Sequence, residues 1–240
     1  MAPRPDMAPR ADIAPRADIA QPADAPPRAD AVPTGLFISF EGIDGSGKST
    51  QARLLADRVR AAGLPVVLTR EPGGSTGAEE IRRLVLEGDP DRWSAETEIL
   101  LFTAARRDHL EKTIKPALAA GAVVITDRFA DSTRIYQGIT RGDLRPTVDA
   151  LHDLMIGTDP DLTLLIDIDP DLGLSRAVAR AGDELRFEDM GVDVQRRMRA
   201  GFLDLAAITP RITMIDGSGD ARAVANLVWA RVQSHLGLPA

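Results

Sequence analysis

Gly42, Gly47, Lys48 and Ser49 keep a fixed spacing within Gly42-Ile43-Asp44-Gly45-Ser46-Gly47-Lys48-Ser49-Thr50. Each residue type has a chemical task. The glycines let the backbone curl until its N–H groups converge on phosphate oxygens. Lys48 supplies a point charge for β- and γ-phosphates, and Ser49 offers a hydroxyl to Mg²⁺. A helix starting at this point turns its positive end toward the anion. The stretch follows a short apolar run and precedes a helix-like one, the context such a loop requires. It reads as a P-loop that holds a nucleoside triphosphate through residues 42–50.

The loop needs a scaffold, and the rest of the chain supplies its elements. Strand-like runs rich in Val, Ile or Leu occur at 36–42, 65–71, 122–128, 162–168 and 211–217, each with an acid or Arg near its C-terminal end. Near-continuous apolar runs suit strands buried on both faces of a parallel sheet. Helix-like stretches cover 48–62, 76–87, 95–120, 146–157, 171–182, 193–208 and 220–236. Strands separated by helical crossovers predict an α/β domain over 35–240, a five-stranded parallel sheet with helices on both faces. Its ligands belong at the C-terminal strand ends. The strand order is left open.

Residues 1–34 differ in kind. They form a degenerate six-residue repeat (APRPDM, APRADI, APRADI, AQPADA, PPRADA) holding eight of the 17 prolines and no aromatic residue. Proline recurs too often for a helix and alanine buries too little surface for a core, so a disordered, solvated tail is expected. The spaced acids Asp6, Asp12, Asp18, Asp24 and Asp30 argue against a targeting presequence. Translation beginning near Val32 is an alternative reading that an intact mass would decide.

Composition removes several classes. The 240 residues carry 29 basic and 36 acidic side chains, net charge -7, which argues against a broad nucleic-acid surface. Cysteine is absent, so disulfides, thiolate metal sites and cysteine nucleophiles are excluded. No apolar run reaches membrane-span length, and a cytoplasmic protein is expected. A GTPase would read guanine with Asn-Lys-x-Asp, but the single asparagine, Asn226, precedes Leu227. Motor, helicase and transporter ATPases need larger cores. What remains is a kinase of nucleoside monophosphate kinase type, with Arg and Asp residues lining its cleft.

Three further stretches resemble the thymidylate kinase family. The second strand-like run ends in Thr69-Arg-Glu-Pro-Gly-Gly-Ser75, close to that family's TREPGG segment. The third ends in Asp127-Arg128, followed by Ser132 and Tyr136-Gln-Gly138, as in its DR-then-S-x-x-x-YQG pattern. Leu101-Phe-Thr-Ala-Ala-Arg106 looks like its base-stacking helix, and the P-loop itself, including Asp44, has the family's form. The resemblance runs in order over residues 36–208. It implies ATP and Mg²⁺ as cofactors, dTMP as acceptor and dTDP as product. It also implies a homodimer through helices flanking the long 95–120 segment.

The resemblance also implies roles. Phe102 stacks on thymine, and Arg106, one turn later on the same face, hydrogen-bonds the base edge. Arg128 grips the acceptor phosphate with its planar fork, with Arg70 and Arg82 as further candidates. Gln137 and Ser132 offer neutral hydrogen bonds to the pyrimidine edge. Tyr136 packs against the sugar and disfavours a 2′-hydroxyl. Asp44 lies near the acceptor sugar and Mg²⁺, with Ser49 and Asp127 as the other metal candidates. Glu71 precedes Pro72 in a tight turn, where a cis bond is expected. The charge facing solvent during transfer comes from arginines of a lid at about 176–190: Arg176, Arg180 and Arg186, beside Gly182. That lid carries Glu184-Leu-Arg-Phe187 where the family often has Asp-Arg-Phe. His109, His152 and His235 are read as structural or surface residues. Two other readings stay open: another pyrimidine nucleotide or nucleoside kinase, and a P-loop binding module that does not transfer phosphate.

Overall fold

A computed structural model of the chain describes residues 35–89, 92–140, 142–180 and 191–238, with side chains omitted at 177–180. The tail 1–34 and lid residues 181–190 therefore lie outside the described residues. Strands β1 (Phe37–Glu41), β2 (Val66–Arg70), β3 (Val123–Asp127), β4 (Leu162–Asp167) and β5 (Ile212–Asp216) each fall inside a strand-like run. They form one sheet in the order β2-β3-β1-β4-β5, every pair parallel. The expected fold class is the one observed.

Side-chain alternation splits the core between the two faces. On one face Ile38, Phe40, Ile125, Leu164 and Ile166 meet Ala52, Leu55, Ala56 and Val59 of α1 (Lys48–Ala61) and Val224, Val228 and Val232 of α9 (Ala221–Val232). The α1 positions repeat at three- and four-residue spacing, the stripe a sheet-packed helix needs. On the other face Phe37 and Val124 meet Leu110 and Ile114, while Leu165 meets Met198, Phe202 and Leu205 of α8 (Gly191–Ile208). Each fully buried side chain of this size stabilises by roughly 1.5–3 kcal/mol. The central strands β1, β3 and β4 are buried almost throughout, but the edge strands β2 and β5 are only partly so, and Met214 is 54% exposed.

The other helices are α2 (Thr76–Leu86), α3 (Ala95–His109), α4 (Lys115–Ala119), α5 (Ala130–Tyr136), α6 (Arg145–Met155) and α7 (Pro170–Arg180). Two features depart from the sequence reading. The stretch 95–120 is not uniform: a π-turn, Leu110–Ile114, separates α3 from α4, and the Lys115 N–H bonds to the Leu110 carbonyl, five residues back. Pro116 follows and has no N–H to offer Lys112, which accounts for the slipped register. Helix α5 was not expected at all, since seven residues are too few for a periodic signal. Ser94 caps α3, its hydroxyl accepting from the Thr97 N–H at 3.2 Å.

Register sets up the site. Phe40 is level with Asp127 and Glu41 with Leu165, so the chain leaves β1 beside the ends of β3 and β4. The P-loop and the Asp127-Arg128 pair thus emerge at the same edge.

Candidate active site

The P-loop is shaped by two constraints. Gly45 passes so close to the chain that a Cβ there would lie 1.9 Å from the Gly173 carbonyl oxygen. Gly47 begins α1 with φ 95°, a left-handed value that L side chains rarely adopt. Ile43 and Ser46 are buried, and Thr50 lies in the first turn of α1. Lys48 Nζ donates to the Ile43 carbonyl at 2.7 Å. Burial, with the Arg128 charge behind it, brings the Lys48 ammonium down to about 8, against the pull of Asp44, Asp127 and Glu41.

Ser49 Oγ donates to Asp127 Oδ2 at 2.5 Å, while Asp127 Oδ1 is buried without a hydrogen-bond partner among the described residues. A hydroxyl and an under-satisfied carboxylate side by side fit a hard divalent cation that takes its other ligands from phosphate oxygens and water. No group of three or more acidic or His side chains able to hold a metal occurs among the described residues. Asp44, the third metal candidate, is paired elsewhere. It takes an ion pair from Arg128, a hydrogen bond from Tyr136 Oη at 2.8 Å and a longer one from Gln195 Nε2 at 3.5 Å. Burial alone would raise the Asp44 carboxyl, but Arg128 and Lys48 outweigh it and hold the group below its ordinary value.

Arg128 is the junction of the site. It has φ 72°, the one non-glycine residue with positive φ among the described residues. Its N–H bonds to Phe40 O at 2.9 Å and its carbonyl accepts from Thr126 Oγ1 at 2.9 Å, contacts that over-determine the strained backbone. The guanidinium reaches Asp44, Tyr136 Oη at 3.0 Å and Ser132 Oγ at 3.0 Å, and lies 4.8 Å from the Tyr136 ring centroid. Ser132, expected at the base edge, instead joins Arg128 to Glu41, donating to Glu41 Oε2 at 2.6 Å.

Glu41 is 1% exposed and accepts the Phe129 N–H at 2.8 Å, which fixes the entry to α5. Burial, reinforced by the nearby Asp131, raises its carboxyl from 4.5 to about 7. Between those pH values the folded protein keeps a proton that the unfolded chain releases. The resulting stability is fully present below about pH 4.5 and is lost as the pH rises through about 7. Glu41→Gln, which has no proton to lose, is therefore expected to be less destabilised relative to the parent at about pH 8 than at about pH 5. Thermal unfolding of both proteins checks this, and equal Tm differences at the two values would contradict it.

On the acceptor side, Phe102 and Arg106 of α3 are both buried and both line the cavity, whereas Arg107 turns outward to Glu111 and to the Met155 carbonyl at 2.8 Å. Helix spacing from Phe102 thus selected the inward arginine. Arg106 donates through Nε to Glu71 Oε2 at 2.7 Å and through Nη2 to Thr133 Oγ1 at 3.0 Å. The Glu71–Pro72 peptide is cis. Gln137 is buried, with Nε2 3.3 Å from Glu98 Oε2. Arg82 donates to the Pro72 carbonyl at 2.7 Å, and the half-exposed Arg70 lies 3.4 Å from Glu79. Arg176 ties α7 to the loop after β5 through the Gly217 carbonyl at 3.2 Å. Arg180 ends α7, but its side chain and the whole of Arg186 lie outside the described residues.

One cavity of about 830 Å³ joins these groups, running from Lys48 and Ser49 past Asp127 and Arg128 to Phe102, Arg106 and Gln137. Cationic and hydroxyl groups line one end and an aromatic ring with amide and guanidinium groups the other. That arrangement accepts a phosphorylated ligand with a flat polar base. Glu41, Thr133 and Gln195 escaped the sequence reading, as did the contact of His109 with Glu71, because each acts through a partner that only the fold brings near.

The sequence model of the thymidylate kinase family matches residues 40–228. The thymidylate kinase of Ruegeria pomeroyi is 73% identical over 204 residues, covering 85% of this chain and 97% of that protein. That of Caulobacter vibrioides is 52% identical over 206 residues, covering 85% and 99%. A crystal structure of thymidylate kinase from Ehrlichia chaffeensis superposes with TM-score 0.68 at 38% identity, over 84% of this chain and 99% of that one. With its parallel sheet, P-loop and phosphate-to-base cavity already in place, the chain belongs to the thymidylate kinase family, the phosphotransferases that convert dTMP to dTDP.

Proposed function

We propose that this protein moves the γ-phosphoryl group of ATP onto the phosphate of dTMP by direct in-line attack. The continuous cavity from Lys48 to Phe102 carries this reading, because it puts a triphosphate cradle and a base slot at the two ends of one space. An acceptor phosphate oxygen forms the new bond to phosphorus as the bond to the departing ADP oxygen breaks, and no covalent enzyme intermediate is needed. Lys48 and the N–H groups of 42–49 hold the donor phosphates, and Arg128 holds the acceptor phosphate with Arg70 and Arg82 at the mouth. Ser49 and Asp127 would hold Mg²⁺, which neutralises charge on the donor oxygens when bound. Asp44 and Tyr136 meet the sugar, Phe102 stacks on thymine, and Arg106, Gln137 and Glu71 govern its edge. Ser132 serves through Arg128.

ADP release with ATP and a panel of dTMP, dUMP, CMP, AMP and thymidine tests the assignment. Activity dominated by dTMP is expected. A different preferred acceptor would overturn the substrate, and no turnover with any of them would overturn the kinase reading.

The domain division proposed is a tail at 1–34, a catalytic unit at 35–240 and a lid at about 176–190. Arg180 and Arg186 cover the donor phosphates when that lid closes. Arg180→Ala or Arg186→Ala is expected to lower kcat by about 10²-fold or more, with much less change in the KM for dTMP. Unchanged turnover in both variants would remove the lid arginines from the mechanism.

We also infer a homodimer through α2, α3 and α6. Leu84, Leu100, Leu154 and Met155 on these helices are between 41% and 79% exposed, and such apolar groups favour burial against a second copy. Light scattering giving twice the 25.7 kDa chain mass supports this, and a monomer mass refutes it. Residence in the cytoplasm accords with a chain that has no membrane-spanning helix among the described residues.

A further inference from the structure

His109 is fully buried, beside the base slot rather than in it. Both ring nitrogens are engaged. Nδ1 lies 3.1 Å from Glu71 Oε1, and Nε2 lies 2.8 Å from Thr69 Oγ1. Nδ1 faces a carboxylate and so donates. Nε2 shares its hydrogen bond with the threonine hydroxyl. The other oxygen of Glu71 accepts from Arg106 Nε at 2.7 Å. A four-residue chain therefore runs from the end of β2 to the base slot: Thr69, His109, Glu71, Arg106. The structure shows why its ring cannot drift. A Cβ on Gly74 would lie 2.3 Å from His109 Nε2, so the turn after Pro72 packs directly on the ring. The π-turn that begins at Leu110 presents Thr113, whose hydroxyl donates to the Gly74 carbonyl at 2.7 Å and closes that turn from the other side.

Arg106 and His109 are three residues apart on α3, and the Glu71 carboxylate spans them with one oxygen each. A carboxylate held at both oxygens cannot rotate, and the guanidinium bonded to it keeps its plane. Thr133 Oγ1 fixes a second nitrogen, Nη2, at 3.0 Å. The remaining nitrogen, Nη1, makes no hydrogen bond to protein among the described residues, and Arg106, whose guanidinium carbon lies 5.2 Å from the Phe129 ring centroid, lines the cavity. A donor so fixed can meet only an acceptor. The ring edge that separates thymine from cytosine carries a carbonyl oxygen in the first and an amino group in the second.

We propose that His109 is a positioning residue for acceptor-base selection, locking Glu71 so that Arg106 presents a donor to the 4-carbonyl oxygen of the base. This rests on the reading of Arg106 as the residue at the base edge. The deciding quantity is the ratio of kcat/KM for dTMP to that for 5-methyl-dCMP, two acceptors that share the methyl group, sugar and phosphate. In His109→Leu that ratio is expected to fall about tenfold or more, because a donor no longer aimed at the edge stops rejecting the amino group. The KM for dTMP should rise about tenfold, with kcat within about threefold and the KM for ATP unchanged. His109→Gln, which keeps a donor toward Glu71, should retain part of the selectivity. Thr69→Val, which removes only the hydroxyl behind the ring, should move the ratio in the same direction by less. Thr69→Val and His109→Gln carry the test if His109→Leu does not fold. A parent preference that survives intact in the folded variants overturns this inference alone. A parent enzyme with no preference for dTMP overturns the substrate assignment and this inference with it.

Discussion

Arg128→Ala is expected to lower kcat/KM for dTMP by about 10³-fold, the effect of deleting the charged donor proposed to hold the acceptor phosphate in line for attack. Arg128 serves both halves of the cavity. Its guanidinium touches Asp44, Tyr136 and Ser132, and through Ser132 it is tied to Glu41 at the foot of the P-loop. An acceptor phosphate held there, as proposed, would meet a fork whose plane is already set, rather than a flexible cation. Arg128→Lys should recover little of the loss, because an ammonium cannot make the paired contacts. Asp44 would also drift, since Arg128 is the largest influence holding its carboxyl low. Arg128→Gly separates charge from strain. Glycine accepts φ 72° without penalty and should melt higher than the Ala variant, yet turn over no faster. Initial rates of ADP release at saturating ATP measure these losses, and a drop of less than about tenfold in Arg128→Ala would move the phosphate grip elsewhere.

The same residue shows what a sequence can and cannot reveal. Arg128 was identifiable because it ends a strand-like run and stands next to Asp127, and the fold was legible because five apolar runs alternate with helical stretches. The P-loop was visible for a sharper reason: its glycines and lysine are required by the backbone geometry itself. Side chains that act through a partner leave no comparable trace. Ser132 and Thr133 are adjacent hydroxyl residues, and only the direction in which α5 leaves Phe129 decides that Ser132 turns to Glu41 and Thr133 to Arg106. His109 reads from sequence as a structural or surface residue, and it is buried. Its engagement with Glu71 depends on a turn 38 residues away in the chain. Helix α5 is too short for periodicity to register, and the π-turn needed the consequence of Pro116 to be followed back to Leu110.

Charge arithmetic hid a second feature, away from the cavity, which yields the largest expected effect on stability. Asp131 on α5 is 1% exposed and receives both Arg211 Nη1 at 2.7 Å and Nη2 at 2.9 Å, together with Arg134 Nη1 at 2.8 Å. Arg211 precedes β5 and also donates to Thr163 Oγ1 at 2.6 Å, while Arg134 Nε reaches Asp149 of α6 at 2.7 Å. One buried carboxylate thus couples the helix carrying Ser132, Thr133 and Tyr136 to the far edge of the sheet and to α6. Arg211→Ala leaves the buried Asp131 with a single cation. The expected destabilisation is about 3–5 kcal/mol, or a fall in Tm of about 10 °C for a domain of this size. Acid sensitivity should shift as well. Burial alone would raise the Asp159 carboxyl, but His152 and Arg211 bring it from 3.8 to about 2, so its contribution is present above about pH 4 and fades as the pH falls through about 2. Without Arg211 that contribution is smaller and is exhausted at a higher pH. Turnover at 25 °C should stay within about threefold, because neither Arg211 nor Asp131 lines the cavity. The double variant Asp131→Leu with Arg211→Met separates pairing from packing. If the penalty is that of an uncompensated buried charge, removing both partners restores much of the Tm lost by removing one. A double variant as unstable as Arg211→Ala would mean instead that the side-chain volume of Arg211, packed between β4 and α5, is what holds the two together.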